Sequence, residues 1–220
     1  MNGLLVINKP SGITSFDCIR QLRRTTGERK IGHTGTLDPM ATGVMLMLFG
    51  TATKYAAKFS KLDKTYLAEI TLGATSSTGD AEGELTKAEG RMPKVAQIET
   101  ALESLVGEIT QTPPVYSAIK INGQEAYKRA RRGESIEMPS RQVTIHTIKL
   151  INYSYPVIEI GADVSSGTYI RTLAEDIGAK LGTGAYLSVL TRTRVGEYDL
   201  KQAIGLDAPT EVINTQLLTI

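Results

Sequence analysis

The 220-residue chain holds one cysteine and two histidines. A lone thiol, Cys18, excludes an internal disulfide framework and any multi-thiolate metal site. With His33 and His146 as the only imidazoles, nothing in the sequence points to zinc. No apolar run reaches the roughly 20 residues that span a bilayer. The opening MNGLLVINKP turns polar too soon for a secretory signal, so the expectation is a reduced, cytoplasmic protein without membrane contact. An overall charge of one sign is also lacking: 25 Lys and Arg against 23 Asp and Glu leave a formal +2. Several enzyme signatures are missing as well. There is no P-loop ending in Gly-Lys-Ser/Thr, no G-x-G-x-x-G turn and no G-x-S-x-G elbow, which argues against a nucleotide-phosphate cradle, a dinucleotide site and a serine hydrolase.

What the chain does have is segregated charge. Residues 20–30 carry Arg20, Arg23, Arg24, Arg29 and Lys30 against Glu28. Residues 117–142 carry Lys120, Lys128, Arg129, Arg131, Arg132 and Arg141 against Glu125, Glu134 and Glu137. The stretch STGDAEGELTKAEG is acidic. Either basic run alone reads as a solvated helix face; together they suit a polyanion such as nucleic acid.

Periodicity gives the elements. GLLVIN reads as a short buried strand and TSFDCIRQLRRTTG as an amphipathic helix capped by Thr14 or Ser15 and closed by Gly27. VMLMLFG fits a buried strand or a buried helical turn. TATKYAAKFS is a short helix candidate, KTYLAEITLG alternates as a strand, and ATSSTGDAEGELT is a polar loop. VAQIETALESLVGEI reads as one long helix. A strand, an Asn-Gly turn and a basic helix follow the Pro-Pro break at TPPVYSAIKINGQEAYKRARRGE. Two β-rich stretches flank SYP, GTYIRTLAEDIGAKLG is a helix, YLSVLTRTRVG is a strand, and a short helical tail ends the chain. Strands and helices mix irregularly, which predicts an α+β fold in one domain over residues 1–220 rather than a doubly wound parallel sheet.

The densest stretch is KIGHTGTLDPMATGV, residues 30–44. Glycine costs conformational entropy in regular structure, so Gly32, Gly35 and Gly43 around Asp38 suggest a backbone shaped for close approach. Asp-Pro by itself reads first as a turn. An aspartate in this company can also be a nucleophile, a general base or a metal ligand. Arg171, early in its helix, is by itself a surface arginine, and a functional cation only if the fold brings it to an acid. Tyr66 and Tyr169 read as core tyrosines with a hydroxyl at an edge.

These residues resemble the TruB family of tRNA pseudouridine synthases. KIGHTGTLDPMATGV is similar to that family's catalytic motif, LLVINKPSGITSFD to its opening, and KTYLAEITLGATSSTGDAEG to its second motif. TPPVYSAIKINGQEAYKRARRG looks like the segment that follows, and VSSGTYIRTLAEDIGAKLGTGAYLSVLTRTRVG like the third motif. The likeness runs from about residue 3 to about residue 198. It implies a mixed, mainly antiparallel sheet flanked by helices and loops, with an active-site cleft across it. It implies that Asp38 is the essential aspartate, Arg171 its partner and Tyr66 the tyrosine stacked on the target base. Tyr169 and Leu190 would line the pocket, and His33 would hold the loop around the flipped nucleotide. The expected RNA-contacting set also takes in Lys9, Lys30, Lys64, Gly32, Gly35 and Thr36. The implied substrate is uridine 55 in the T arm of tRNA, everted from its stack. Because the base is only detached and rejoined through C5, no metal, flavin or nicotinamide cofactor is implied. Two further expectations are a monomer needing no protein partner and a chain without the family's small C-terminal PUA module. A binder of RNA without catalysis, and a guide-RNA-dependent core of the archaeal and eukaryotic kind, are rival readings. Asp38 separates the first, since a pure binder has no need of an ionised acid in its pocket.

Overall fold

A computed structural model describes residues 1–117, 119–121, 123–130 and 132–220. In chain order its elements are β1 (Gly3–Lys9), α1 (Ser15–Thr26), β2 (Ile31–His33), β3 (Thr42–Phe49), a 3-10 turn (Gly50–Tyr55), α2 (Ala56–Ser60), β4 (Lys64–Leu72), β5 (Ala74–Ser76) and β6 (Leu85–Lys87). Then come α3 (Val95–Glu103), β7 (Gly107–Gln111), β8 (Lys120–Ile121), β9 (Gln124–Glu125), α4 (Ala126–Ala130), β10 (Arg141–Ser154), β11 (Val157–Val164), α5 (Ile170–Leu181), β12 (Ala185–Val195), β13 (Tyr198–Asp199), β14 (Ile204–Gly205) and α6 (Thr210–Gln216). Pairing is mostly antiparallel with parallel exceptions, so the α+β class and the mixed sheet are as the sequence implies. Among the described residues no helix is long and apolar enough to cross a membrane.

The chain divides into two compact units, one of residues 1–67 and 190–220 and the other of residues 68–189. In the first unit β1 pairs with β3 antiparallel along its whole length and with β14 in parallel, and β3 takes β2 and the end of β12 as further partners. VMLMLFG is thus a strand. Six of its seven residues are buried hydrophobics and its closing Gly50 is buried as well, which periodicity alone could not separate from a helical turn. Val44, Leu46 and Leu48 pack with Leu4, Val6, Phe59, Val195 and Tyr198 into this unit's core. The Thr14 hydroxyl and the Asp17 carboxylate form a reciprocal capping box at the start of α1, and Gly27 closes the helix in the left-handed region at φ 72°.

In the second unit β11, β10 and β7 run side by side antiparallel, and α3 packs on β10 and α5. The long helix expected over VAQIETALESLVGEI is shorter. It ends at Glu103, and GEITQ is β7, opened by Gly107 at φ 106°. That φ breaks a helix, and the alternating Ile109 and Gln111 turn inward from a strand. The expected polar loop over ATSSTGDAEGELT carries the small hairpin of β5 and β6. The Asn-Gly turn expected at 122–123, and Arg131 of the basic run, involve residues 122 and 131, which lie outside the described residues.

Candidate active site

In the first unit Asp38 opens a β-turn. The Ala41 amide donates to the Asp38 carbonyl at 3.1 Å, with Pro39 in the second position, where its fixed φ suits the turn. This turn is held from three sides. The Lys9 ammonium, at the end of β1, donates to the Pro39 carbonyl at 3.1 Å and to the Pro10 carbonyl at 2.8 Å. The Gly12 amide donates to the same Pro39 carbonyl at 2.8 Å, and the Ser11 hydroxyl donates to the Met40 carbonyl at 3.0 Å. Ser15, buried at the start of α1, accepts from the Leu37 amide at 2.9 Å and donates to the Leu37 carbonyl at 3.0 Å. Asp38 itself is half-buried. The backbone that carries this carboxylate is thus fixed several times over and needs no further ordering when a substrate arrives.

The three glycines of the loop do different things. Gly43 has φ 111°, and a Cβ there would lie 2.2 Å from the Arg192 carbonyl oxygen, because Gly43 and Arg192 stand opposite in the parallel pairing of β3 and β12. A Cβ on Gly32 or Gly35 would meet nothing closer than 3.9 Å and 3.7 Å, an ordinary contact, and neither backbone is left-handed. The density of glycine is therefore partly an internal packing demand. Gly43→Ala is expected to cost at least about 3 kcal/mol, from overpacking against backbone plus the φ strain. Chemical denaturation measures it, and a midpoint equal to the parent's would contradict it.

His33 ends β2 and is half-buried. Burial, and then the Arg192 guanidinium, push its imidazole below the usual range, so the ring is neutral near pH 7. Among the described residues its buried Nδ1 has no hydrogen-bond partner. Thr36 and Lys30 are exposed, whereas Tyr66 and Leu190 are 8% and 6% exposed, on the buried faces of β4 and β12.

In the second unit Arg171 is the second residue of α5 and is buried. Its Nη1 donates to the Thr78 carbonyl at 3.0 Å and stands 3.4 Å from the Asp80 carboxylate, and its Nη2 donates to the Tyr116 carbonyl at 2.8 Å. Asp80, equally buried, accepts from the Thr78 hydroxyl at 2.6 Å and from the Glu82 amide at 3.1 Å. Tyr169 is held through its backbone. Its amide donates to the Gln111 side chain at 3.0 Å, its carbonyl accepts from the same amide group at 3.3 Å, and the Arg141 guanidinium lies 4.8 Å from its ring centre.

The family description "TruB family pseudouridylate synthase (N terminal domain)" matches residues 23–170, and "tRNA pseudouridylate synthase B C-terminal domain" matches residues 171–215. The chain belongs to the TruB family. It is 43% identical over 208 residues to the tRNA pseudouridine synthase B of Burkholderia mallei, covering 94% of this chain and 69% of that one. To its counterpart in Cupriavidus taiwanensis it is 46% identical over 209 residues, covering 94% and 66%. Among solved structures, a Cbf5-Nop10-Gar1 complex has a chain that superposes with a TM-score of 0.74 at 27% identity, over 93% of this chain and 52% of the other. A TM-score of 0.70 at 25% identity is reached with an H/ACA RNP bound to a substrate RNA containing 2′-deoxyuridine. The chain spans about half the length of these solved chains.

Within this TruB chain, three basic residues sit where composition does not suggest. Lys9, expected at the RNA surface, has a fully buried side chain and works from beneath the Asp38 turn. Lys64, expected in the same set, is buried too, and its ammonium donates to the carbonyls of Ser60 and Leu62. Arg192 is absent from the expected set, yet its buried guanidinium donates to carbonyls of the motif loop. Asp80 and Gln111 are likewise absent from it. The signal available for Asp80 is a left-handed glycine before an aspartate that takes an amide two residues on, an Asx turn. On the surface, the basic run around α4 is partly neutralised, since Lys128 pairs with Glu125 and both Arg129 and Arg132 pair with Glu134. Among the described residues Arg23, Arg24, Arg29 and Lys30 have no carboxylate within ion-pair distance, so the α1 face keeps its charge.

Burial, and then Arg192, push the Lys64 ammonium down to about 8 from 10.5. Below about 8 it is charged in the folded and unfolded chain alike, and the desolvation cost is fully present. Between about 8 and 10.5 the unfolded chain holds a proton that the folded chain does not, so stability rises with pH across that window. Thermal melts between these limits are expected to show that rise in the parent and to lose it in Lys64→Met. Parallel pH profiles for the two proteins would contradict the assignment.

Proposed function

We propose that this chain converts uridine 55 in the T loop of tRNA to pseudouridine, with Asp38 as the reacting acid. The observation that carries this reading is an aspartate on a turn fixed by Lys9, Gly12 and Ser15, in a chain that belongs to the TruB family. The base must leave its stack to reach any side chain, which costs a few kcal/mol. Stacking on Tyr66 and phosphate contacts from the basic α1 face offset that cost. Asp38 acts in its ionised form and Leu190 lies beside the pyrimidine; Arg171 and Tyr169 are further residues that the family resemblance assigns to the reaction. The ionised oxygen can then add to C6, attack C1′ or take the C2′ proton. Each route frees N1 from the sugar and lets C5 rejoin it, with the C5 hydrogen released to water. No electrons leave the substrate, so the reaction is an isomerisation. Incubating the protein with unmodified tRNA and mapping pseudouridine along the product tests the reading. Modification at position 55, and none in a transcript carrying cytidine there, is expected. Binding of tRNA with no pseudouridine formed would leave an RNA-binding protein and refute the proposal.

A further inference from the structure

Arg192 lies on β12, in the first unit, two residues beyond Leu190 and so on the same buried face of the strand. Its Nε donates to the Val44 carbonyl at 2.7 Å, its Nη2 to the Gly35 carbonyl at 3.3 Å and its Nη1 to the Thr36 carbonyl at 3.5 Å. Its backbone meanwhile lies against Gly43. One residue therefore touches the motif loop before Asp38 and β3 after it. Among the described residues no carboxylate is within ion-pair distance of it, although burying a guanidinium is costly. Three carbonyl dipoles solvate the charge in part, and only a planar fork can reach acceptors in these separate directions at once. An apolar residue of the same volume would avoid the desolvation of a charge but would take the donor away from these carbonyls.

We infer that Arg192 is a positioning residue for the reaction at Asp38, its guanidinium setting the path of residues 35–36 relative to β3 and thereby the place of the aspartate. The inference rests on Asp38 being the reacting acid. It predicts that a lysine, with the same charge but a single ammonium, does not replace arginine here. A displacement of about 1 Å in a reacting group costs on the order of 100-fold in rate. It also predicts that His33, at the end of β2 just before this loop, senses the cation: burial and then Arg192 hold its pKa down, so removing the guanidinium lets it rise.

The test uses the full chain with Arg192→Lys and Arg192→Gln. Saturation kinetics on tRNA tritiated at C5 of uridine, an active fraction from tRNA-binding titration, a thermal melt and an NMR titration of the His33 ring are compared with the parent. The expected result is folded Arg192→Lys with KM within about twofold and kcat per active molecule lower by about 100-fold, and a raised His33 pKa in Arg192→Gln. Normal kcat in Arg192→Lys, an unchanged His33 titration in Arg192→Gln, or failure of both variants to fold would overturn the inference and leave Arg192 a residue of the fold. Asp38→Asn, run in the same assay, separates the two readings. If it turns over normally, the Asp38 assignment has failed; if it is inactive while Arg192→Lys is normal, only the positioning role has.

Discussion

Asp38→Asn is expected to stop tritium release from C5-labelled tRNA by more than about 10⁴-fold, a loss of the size seen when a group acting directly on the reacting atoms is removed. Asparagine keeps the shape and the turn. Lys9, Gly12 and Ser15 hold the backbone of residues 37 and 39 and make none of these bonds to the Asp38 side chain, so the loop is expected to stay in place. Asparagine offers no negative oxygen to C6, to C1′ or to the C2′ proton. Affinity for tRNA is expected to change by less than about threefold, since on the proposed reading the acid acts in the transition state and phosphate contacts supply most of the binding. A variant that binds but does not react separates chemistry from folding. Turnover within about tenfold of the parent would remove Asp38 from the reaction.

The second large effect is expected at Asp80. With both side chains almost wholly buried, the 3.4 Å pair of Asp80 and Arg171 lies in a medium where losing a charged partner is expensive. Asp80→Ala removes the carboxylate from beside Arg171 and deprives the Thr78 hydroxyl and the Glu82 amide of their acceptor. A loss of about 3–5 kcal/mol follows from breaking a buried pair on one side, which for a chain of this size lowers the melting temperature by on the order of 10 °C. Glu134→Ala is the matched control, because its pairs with Arg129 and Arg132 are exposed and are worth less than about 1 kcal/mol. If Arg171 also serves the reaction, Asp80→Asn slows turnover by about 100-fold at a smaller cost in stability, because the guanidinium shifts when its carboxylate becomes an amide. Equal melting temperatures for Asp80→Ala and Glu134→Ala would show that the pair carries no such load in stability, and parental turnover in Asp80→Asn that it carries none in the reaction.

Much of the fold is legible because its signals are local. KTYLAEITL alternates in sequence and in burial, and the Thr14–Asp17 box and Gly27 mark both ends of α1. The helix over VAQIETALESLVGEI reads too long because apolar spacing continues past Glu103, where a single left-handed glycine decides otherwise. In the site, Asp38 stands out by its company. Lys9 and Lys64 read as surface cations and Arg192 escapes notice, since lysine and arginine are rarely buried and a backbone carbonyl acceptor leaves no trace in sequence. The buried pair of Asp80 and Arg171 depends on a contact 91 positions apart, which no spacing rule encodes. The glycine signal is real but mixed, since Gly43 answers to Arg192 inside the protein while Gly32 and Gly35 leave room that the chain does not fill.

The most direct measurement is a crystal structure of the Asp38→Asn protein bound to a T-arm stem-loop with uridine at the target position. The account predicts an everted uridine with the substituted side chain at position 38 within about 3.5 Å of C1′, C2′ or C6, the distance of a group poised to react. A target base still stacked in its loop, or everted against a part of the protein remote from that position, would contradict it.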